Sequence, residues 1–290
     1  MIISDENDFI NIIKSFNIRT DFVVVKPNWV NLEKGNYTEP EILAWLFEAL
    51  PDQKKIVVES YTPWRGLKYE ADEDLKTDLE GGKKFWNFYQ KQDRYYLEKT
   101  GIGKVLEKFK AEYINITDEY WKGEIVEPQI IKDVVQKKHK DIYWKNFYSY
   151  IPKKLFNIKD QATLISLAKI KLEEGNKNIV VSLSIKNIFG LIPSPSRQDP
   201  YHKDDHSQIP QAIIDIHKIY STLFPNSLWI NEGVFNLVKN YCEENQFYEK
   251  DKNLVFASMD PTEADITVCE FFGINPESVP HLTSGVSAWL

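Results

Sequence analysis

Between Ala162 and Asp215 the chain gathers residue types suited to holding an anion and moving a proton. Lys169 and Lys171 follow an apolar run, Ala162 to Leu167, that reads as a buried strand, and alternation along an extended segment puts both ammonium groups on one side. Lys186 and Asn187 stand just before Gly190, in a segment from Asn178 to Phe189 whose apolar positions suit a helix. A loop rich in Pro and Ser then carries Arg197, His202 and His206. It leads into a helix with Ile209, Ala212, Ile213, Ile216 and Ile219 at helical spacing, and Asp215 and His217 lie beside them. Ammonium and guanidinium groups pair with carboxylates and phosphates, and imidazole exchanges protons near neutral pH. A small anionic substrate is the expected occupant.

Other element ends carry groups of the same kind. Phe22 to Val25 is a continuous, mostly β-branched run of the sort buried on both faces of a sheet. Pro27 ends it, which leaves Lys26 and Asn28 at the carboxyl edge where open parallel sheets collect ligands. Lys55 to Glu59 reads as a second buried strand and brings Glu59 near the Lys26 turn if the two strands are neighbours. Glu232 precedes Gly233 at the end of another strand. Asp260-Pro261 starts a helix in which Asp260 suits a cap and Asp265 faces outward.

Convergence of Lys26, Lys169, Lys171 and Lys186, with Asn28 and Asn187 as neutral donors, would suit a carboxylate or phosphate. Like charge crowded around a lysine lowers its pKa and makes it a base or Schiff-base nucleophile. The expected division of labour gives Lys26, Asn28, Lys169, Lys171, Asn187, Arg197 and His206 to ligand binding. Lys186 or His202 moves the proton, and Asp265 or Glu232 orients a base. The competing reading has the lysines reaching from strand ends into water. Asp204 and Asp205 stand between His202 and His206, but Pro200 and the polar run favour a loop. That spacing is loose for a metal there, and none is assigned.

A net charge of -7 argues against a nucleic-acid partner held by phosphate contacts. Cys242 and Cys269 are too few for a disulfide framework or for an iron–sulfur cluster within this chain. Met1 to Glu6 lacks the cationic and apolar parts of a signal peptide, and no apolar run approaches the roughly 20 residues of a membrane span. A cytoplasmic protein with no membrane partner is expected. Gly-x-Gly-x-x-Gly is absent after Val25 and Val58, as are a phosphate loop ending in Gly-Lys-Ser/Thr and Gly-x-Ser-x-Gly.

Alternating helices and strands must position these groups. An amphipathic helix over Asp5 to Phe16 precedes the first strand, and a helix over Glu39 to Leu50, capped by Thr38, joins it to the second. That unit calls for a right-handed parallel crossover. Glu112 to Ile116, Leu228 to Val234 and Leu254 to Ala257 supply further strands. Residues 61–100 interrupt the pattern with a charged, aromatic, helical insertion broken at Gly81-Gly82. Packing against the main domain, a homodimer surface and a lid over the site are all open to it. The expected fold is α/β, a mainly parallel sheet flanked by helices with this aromatic-rich insertion. Its 290 residues suit one domain, or two lobes at 1–150 and 151–290.

Five elements occur in a recognisable order: Lys26-Pro27-Asn28, Lys169-Ile170-Lys171, Ser184-Ile185-Lys186-Asn187-Ile188-Phe189-Gly190, Glu232-Gly233, and Asp260 to Asp265. In them the chain resembles the domain-of-unknown-function 362 family, from about residue 22 to 282. It departs from the family pattern where Lys-x-Lys-Thr-His is common, since Leu172 and Glu173 follow Lys171, and where Glu232-Gly233 replaces Asp-Gly. Many members carry ferredoxin-like cysteine repeats, which this chain lacks. Any redox role implied by the resemblance therefore needs a separate electron-transfer partner or a diffusible cofactor, whose identity stays open. The expected function is an enzyme acting on a small anionic metabolite by proton or hydride transfer, with oxidoreductase chemistry among the options. The alternative is a non-catalytic ligand-binding or redox-partner protein.

Overall fold

In the computed structural model, residue 2 and residues 5–67, 78–140, 142–173, 175–195, 201–202, 206–241 and 243–283 are described. Their strands are β1 (Phe22–Pro27), β2 (Lys54–Glu59), β3 (Glu112–Asn115), β4 (Ala162–Lys169), β5 (Lys171–Glu173), β6 (Val180–Ser182), β7 (Ser227–Gly233), β8 (Asn236–Lys239), β9 (Phe247–Lys250) and β10 (Leu254–Ser258). The main sheet has the order β10-β7-β4-β1-β2-β3. All its pairs are parallel except β10 with β7. The chain is an α/β protein whose mostly parallel sheet is flanked by helices. From β1 the chain steps outward through β2 and β3, then returns to build β4 and β7 on the other side. Strand order reverses between β1 and β4, the place where doubly wound sheets open a ligand crevice at their carboxyl edge. The central pair, Phe22 with Ala162 through Pro27 with Leu167, joins segments from both sides of residue 150.

Alternation sorts the side chains. Val24, Ile56 and Leu164 enter one core, while Val23, Val25, Ile165 and Leu167 enter the other. Every residue of β4 is buried, as a strand with both faces covered requires. Helix Pro40–Ala49 makes the β1-to-β2 crossover. Thr38 does not cap it. Its hydroxyl accepts the Asn28 N–H at 2.9 Å and donates to the Leu167 carbonyl at 3.3 Å. Glu39 occupies the cap position, but its side chain does not bond the helix, because Lys169 and Asn236 hold its carboxylate at 2.7 and 3.1 Å.

A second sheet, β6-β5-β8-β9, stands at the carboxyl edge of the first. It replaces the helix expected over Asn178 to Phe189. Val180 and Val181 pair antiparallel with β5, whose backbone offers an open ladder, and only Ser184–Asn187 is α-helical before a tighter turn over Ile188–Leu191. Tertiary pairing overrides helical spacing in so short a segment.

The insertion contributes a helix at Leu79–Gly82, a 3-10 turn and a helix at Trp86–Thr100. Tyr61 stacks on Tyr89 at 5.3 Å between ring centroids, and both rings meet Trp121. Buried Arg65 fastens the segment to the sheet. It pairs with Asp93, lies over Tyr96, and donates to the carbonyls of Trp29 and Ser60 at 3.3 and 2.8 Å. Among the described residues no helix is long and apolar enough to cross a membrane.

Candidate functional site

A cleft of about 370 Å³ opens at the carboxyl ends of β1 and β2, beside the β1–β4 reversal. Its floor is an ionic knot. Lys26 is 1 % exposed, and its ammonium donates to the Pro27 carbonyl at 2.7 Å, Glu59 Oε2 at 2.9 Å and Asn187 Oδ1 at 3.2 Å. Three donors meet three acceptors, so the Lys26 charge is answered by protein before any ligand arrives. Glu59 Oε1 accepts the Ser60 N–H at 3.0 Å, which turns the chain away at the end of β2. Asn187 closes the knot by donating to the Lys26 carbonyl at 2.8 Å and to Ser166 Oγ at 3.1 Å.

Helix Ser184–Asn187 is too short to hold itself in place, and Asp265 holds it. One Asp265 oxygen takes the Ser184 N–H at 3.1 Å, the Ser184 hydroxyl at 2.5 Å and the Asn231 amide at 2.8 Å; the other takes the Ile185 N–H at 3.0 Å. Burial lifts its carboxyl to about 6, against the pull of these donors. Asp265 thus faces inward, contrary to the outward placement expected for it, and it does not line the cleft. It positions the turn that carries Lys186 and Asn187. Asp260 is the cap, accepting from the Thr262 and Glu263 N–H groups.

The second sheet supplies one wall. Lys171 and Glu173 share a face of β5 by alternation, and both line the cleft with Ser182 of β6. The Lys171 ammonium lies over the Tyr241 ring, 4.4 Å from its centroid. Lys186 donates to Ser182 Oγ at 3.2 Å and stands 3.6 Å from Glu173 Oε1. His202 stacks on Phe189 at 5.7 Å, and the His206 ring lies 5.4 Å from His202. His206 Nδ1 is 2.8 Å from the Asn176 amide nitrogen. Asn28, Trp29, Thr62, Trp64 and Ile179 also line it, although the Asn28 amide is committed to the Asn36 carbonyl at 2.8 Å. Among the described residues no group of three or more His, Cys, Asp and Glu side chains is placed to hold a metal ion.

Of the four lysines expected to converge, Lys26, Lys171 and Lys186 do so. Lys169 does not. β4 ends at Lys169 and β5, in the other sheet, begins at Lys171, so the two side chains part company. Lys169 follows Ile165 and Leu167 onto the opposite face of the main sheet and is buried between Glu39 at 2.7 Å and Glu232 at 3.1 Å. Burial works against its charge, and the Glu232 and Glu39 carboxylates outweigh it, so its pKa is raised, opposite to the lowering expected from crowded lysines. Burial also lifts Glu232 to about 7, Lys169 drawing it down and Glu39 pushing it up. Glu232 does not line the cleft. Arg197 lies outside the described residues. Asp215 accepts from the Trp144 N–H and Gln211, and His217 packs on Trp229, both away from the cleft.

Glu59, Glu173, Ser182 and Tyr241 were not assigned to the site from sequence. Glu59 had the signal of a strand end beside Lys26. Glu173 had the two-residue spacing from Lys171, visible only once β5 is known to be a strand.

A family model described as "Domain of unknown function (DUF362)" matches residues 23–270. The chain belongs to the DUF362 family. No curated protein and no solved structure matches it. Within the DUF362 elements, Lys26, Asn28, Lys171, Lys186, Asn187, Phe189 and Gly190 all line one cleft, while Glu232 and Asp265 support the sheet and the turn behind it.

Proposed function

We propose that the cleft binds a small anionic metabolite, carboxylate or phosphate, and acts on it by proton transfer. One observation carries this reading. Lys171, Lys186, His202 and His206 line one concave, partly apolar cleft at the strand-order reversal of a doubly wound sheet. In it, Lys171 and Lys186 hold the anion against walls formed by Trp29, Phe189 and Tyr241. His202, held flat by Phe189, exchanges a proton with the carbon or heteroatom next to the anionic group. Lys26, Glu59 and Asn187 fix the floor without touching the proton in flight.

The test is incubation with a panel of small carboxylates and phosphates in D2O, read by proton NMR. Wild-type protein should exchange one carbon-bound proton of its ligand for deuterium. Lys171→Met should lose binding, and His202→Ala should bind without exchange. Binding by the wild type with no exchange for any ligand would instead favour a non-catalytic ligand-binding protein.

A further inference from the structure

The cleft holds an acceptor that its own walls leave unused. Glu173 is 2 % exposed, and its Oε1 accepts no hydrogen bond from any described residue. Lys186 Nζ stands 3.6 Å away, beyond hydrogen-bonding reach. Lys186 instead spends a proton on Ser182 Oγ at 3.2 Å. A buried carboxylate oxygen with no donor is costly unless something supplies one. In this cleft that something is a ligand.

The geometry points to Glu173 as the residue that receives an O–H or N–H of the bound molecule, and so to a ligand that carries both an anion and a donor. This rests on the anion-site reading above and narrows it. Lys171 and Glu173 are two residues apart on one strand face, which sets their α-carbons roughly 6–7 Å apart. Side chains reaching from that pair into a shared space meet groups separated by only two or three bonds. A 2-hydroxy or 2-amino carboxylate has that spacing: its carboxylate faces Lys171, and its hydroxyl or ammonium faces Glu173 Oε1. The apolar remainder of the molecule lies against Phe189 and the Trp29 side of the cleft. A plain carboxylate would satisfy Lys171 and leave Glu173 as it stands.

Matched probes test this by saturation-transfer NMR: lactate, alanine and propionate, then phenyllactate, phenylalanine and 3-phenylpropionate. Within each set the skeleton is constant and only the donor changes. Wild-type protein should bind at least one donor-bearing member tenfold or more tightly than its donor-free partner. Glu173→Met, which has no carboxylate or amide oxygen, should erase that preference while keeping the weaker binding of the plain carboxylate, and Glu173→Asp should restore part of it. Circular dichroism melting of both variants separates loss of preference from loss of fold. Equal binding within each set by wild-type protein, or a preference that survives in Glu173→Met, would overturn the role of Glu173 and leave the anion site standing. Failure of every probe to bind, with Lys171→Met no different from wild type, would remove the anion site and this inference together.

Discussion

Gly190 lies directly against the Lys26 ammonium. A β-carbon built on it would stand 2.7 Å from Lys26 Nζ and 3.0 Å from Glu59 Oε1. Both atoms belong to the buried knot, so neither can swing into solvent. Gly190→Ala should push the ammonium off Glu59 and cost on the order of 3 kcal/mol, the scale of breaking a buried ion pair. Urea unfolding measures it, and stability within 0.5 kcal/mol of wild type would show that the knot can slide.

Asp265 governs the cleft without entering it. Asp265→Ala removes the acceptor for the Ser184 and Ile185 N–H groups and the Asn231 amide. Roughly 3 kcal/mol of stability should go with it, since several buried donors lose their partner at once. Ligand affinity should fall with the displacement of Lys186 and Asn187. Calorimetric titration of a ligand found for the wild type tests the second effect, and unchanged affinity would detach Asp265 from the site.

Glu232 predicts a pH dependence. Its folded pKa, raised to about 7 by burial, lies above the usual carboxylate value, so the folded state binds a proton that the unfolded state does not. The stability this group contributes is therefore present at lower pH and is lost as pH rises through 7. From pH 6 to pH 8 the loss should be about 1 kcal/mol. Melting curves across that interval should flatten in Glu232→Gln; an equal slope in both proteins would place the titration elsewhere.

Arg65 and Asp93 tie the aromatic insertion to the ends of β1 and β2 through the carbonyls of Trp29 and Ser60. Asp93→Ala leaves the buried guanidinium with only the Glu59 carboxylate, 4.0 Å away, as counter-charge and should cost about 3 kcal/mol. Hydrogen exchange should accelerate first around Trp29, Ser60 and Trp64 on the cleft rim. Faster exchange confined to the helix Trp86–Thr100 would show that the rim stands without the tether.

Much of the architecture was legible because it follows from short-range pattern. The β-branched run at Val23 to Val25 and the mostly apolar run at Leu164 to Leu167 read as buried strands, and Asp260-Pro261 reads as a clean helix start. Lys26, Lys171, Lys186 and His202 were legible as candidates through residue type and position at element ends. Lys169 was misplaced because its neighbour Ile170 is where the chain leaves one sheet for another, a change that spacing alone does not carry. Val180 to Ser182 was misread because its partner strand supplies the reason for its conformation. Asp265 was placed outward because the turn it holds comes from a segment some eighty positions earlier.

The cleft also has a history within each molecule's synthesis. Lys26 and Asn187, which close its floor, are 161 residues apart. At roughly 5–20 residues per second, about ten to thirty seconds separate the emergence of one from that of the other. For most of that time β1, with its three valines, has no β4 to pair with and one of its edges stays open. Until its binding floor can close, the newborn chain therefore carries an unpaired strand edge that invites pairing with other chains.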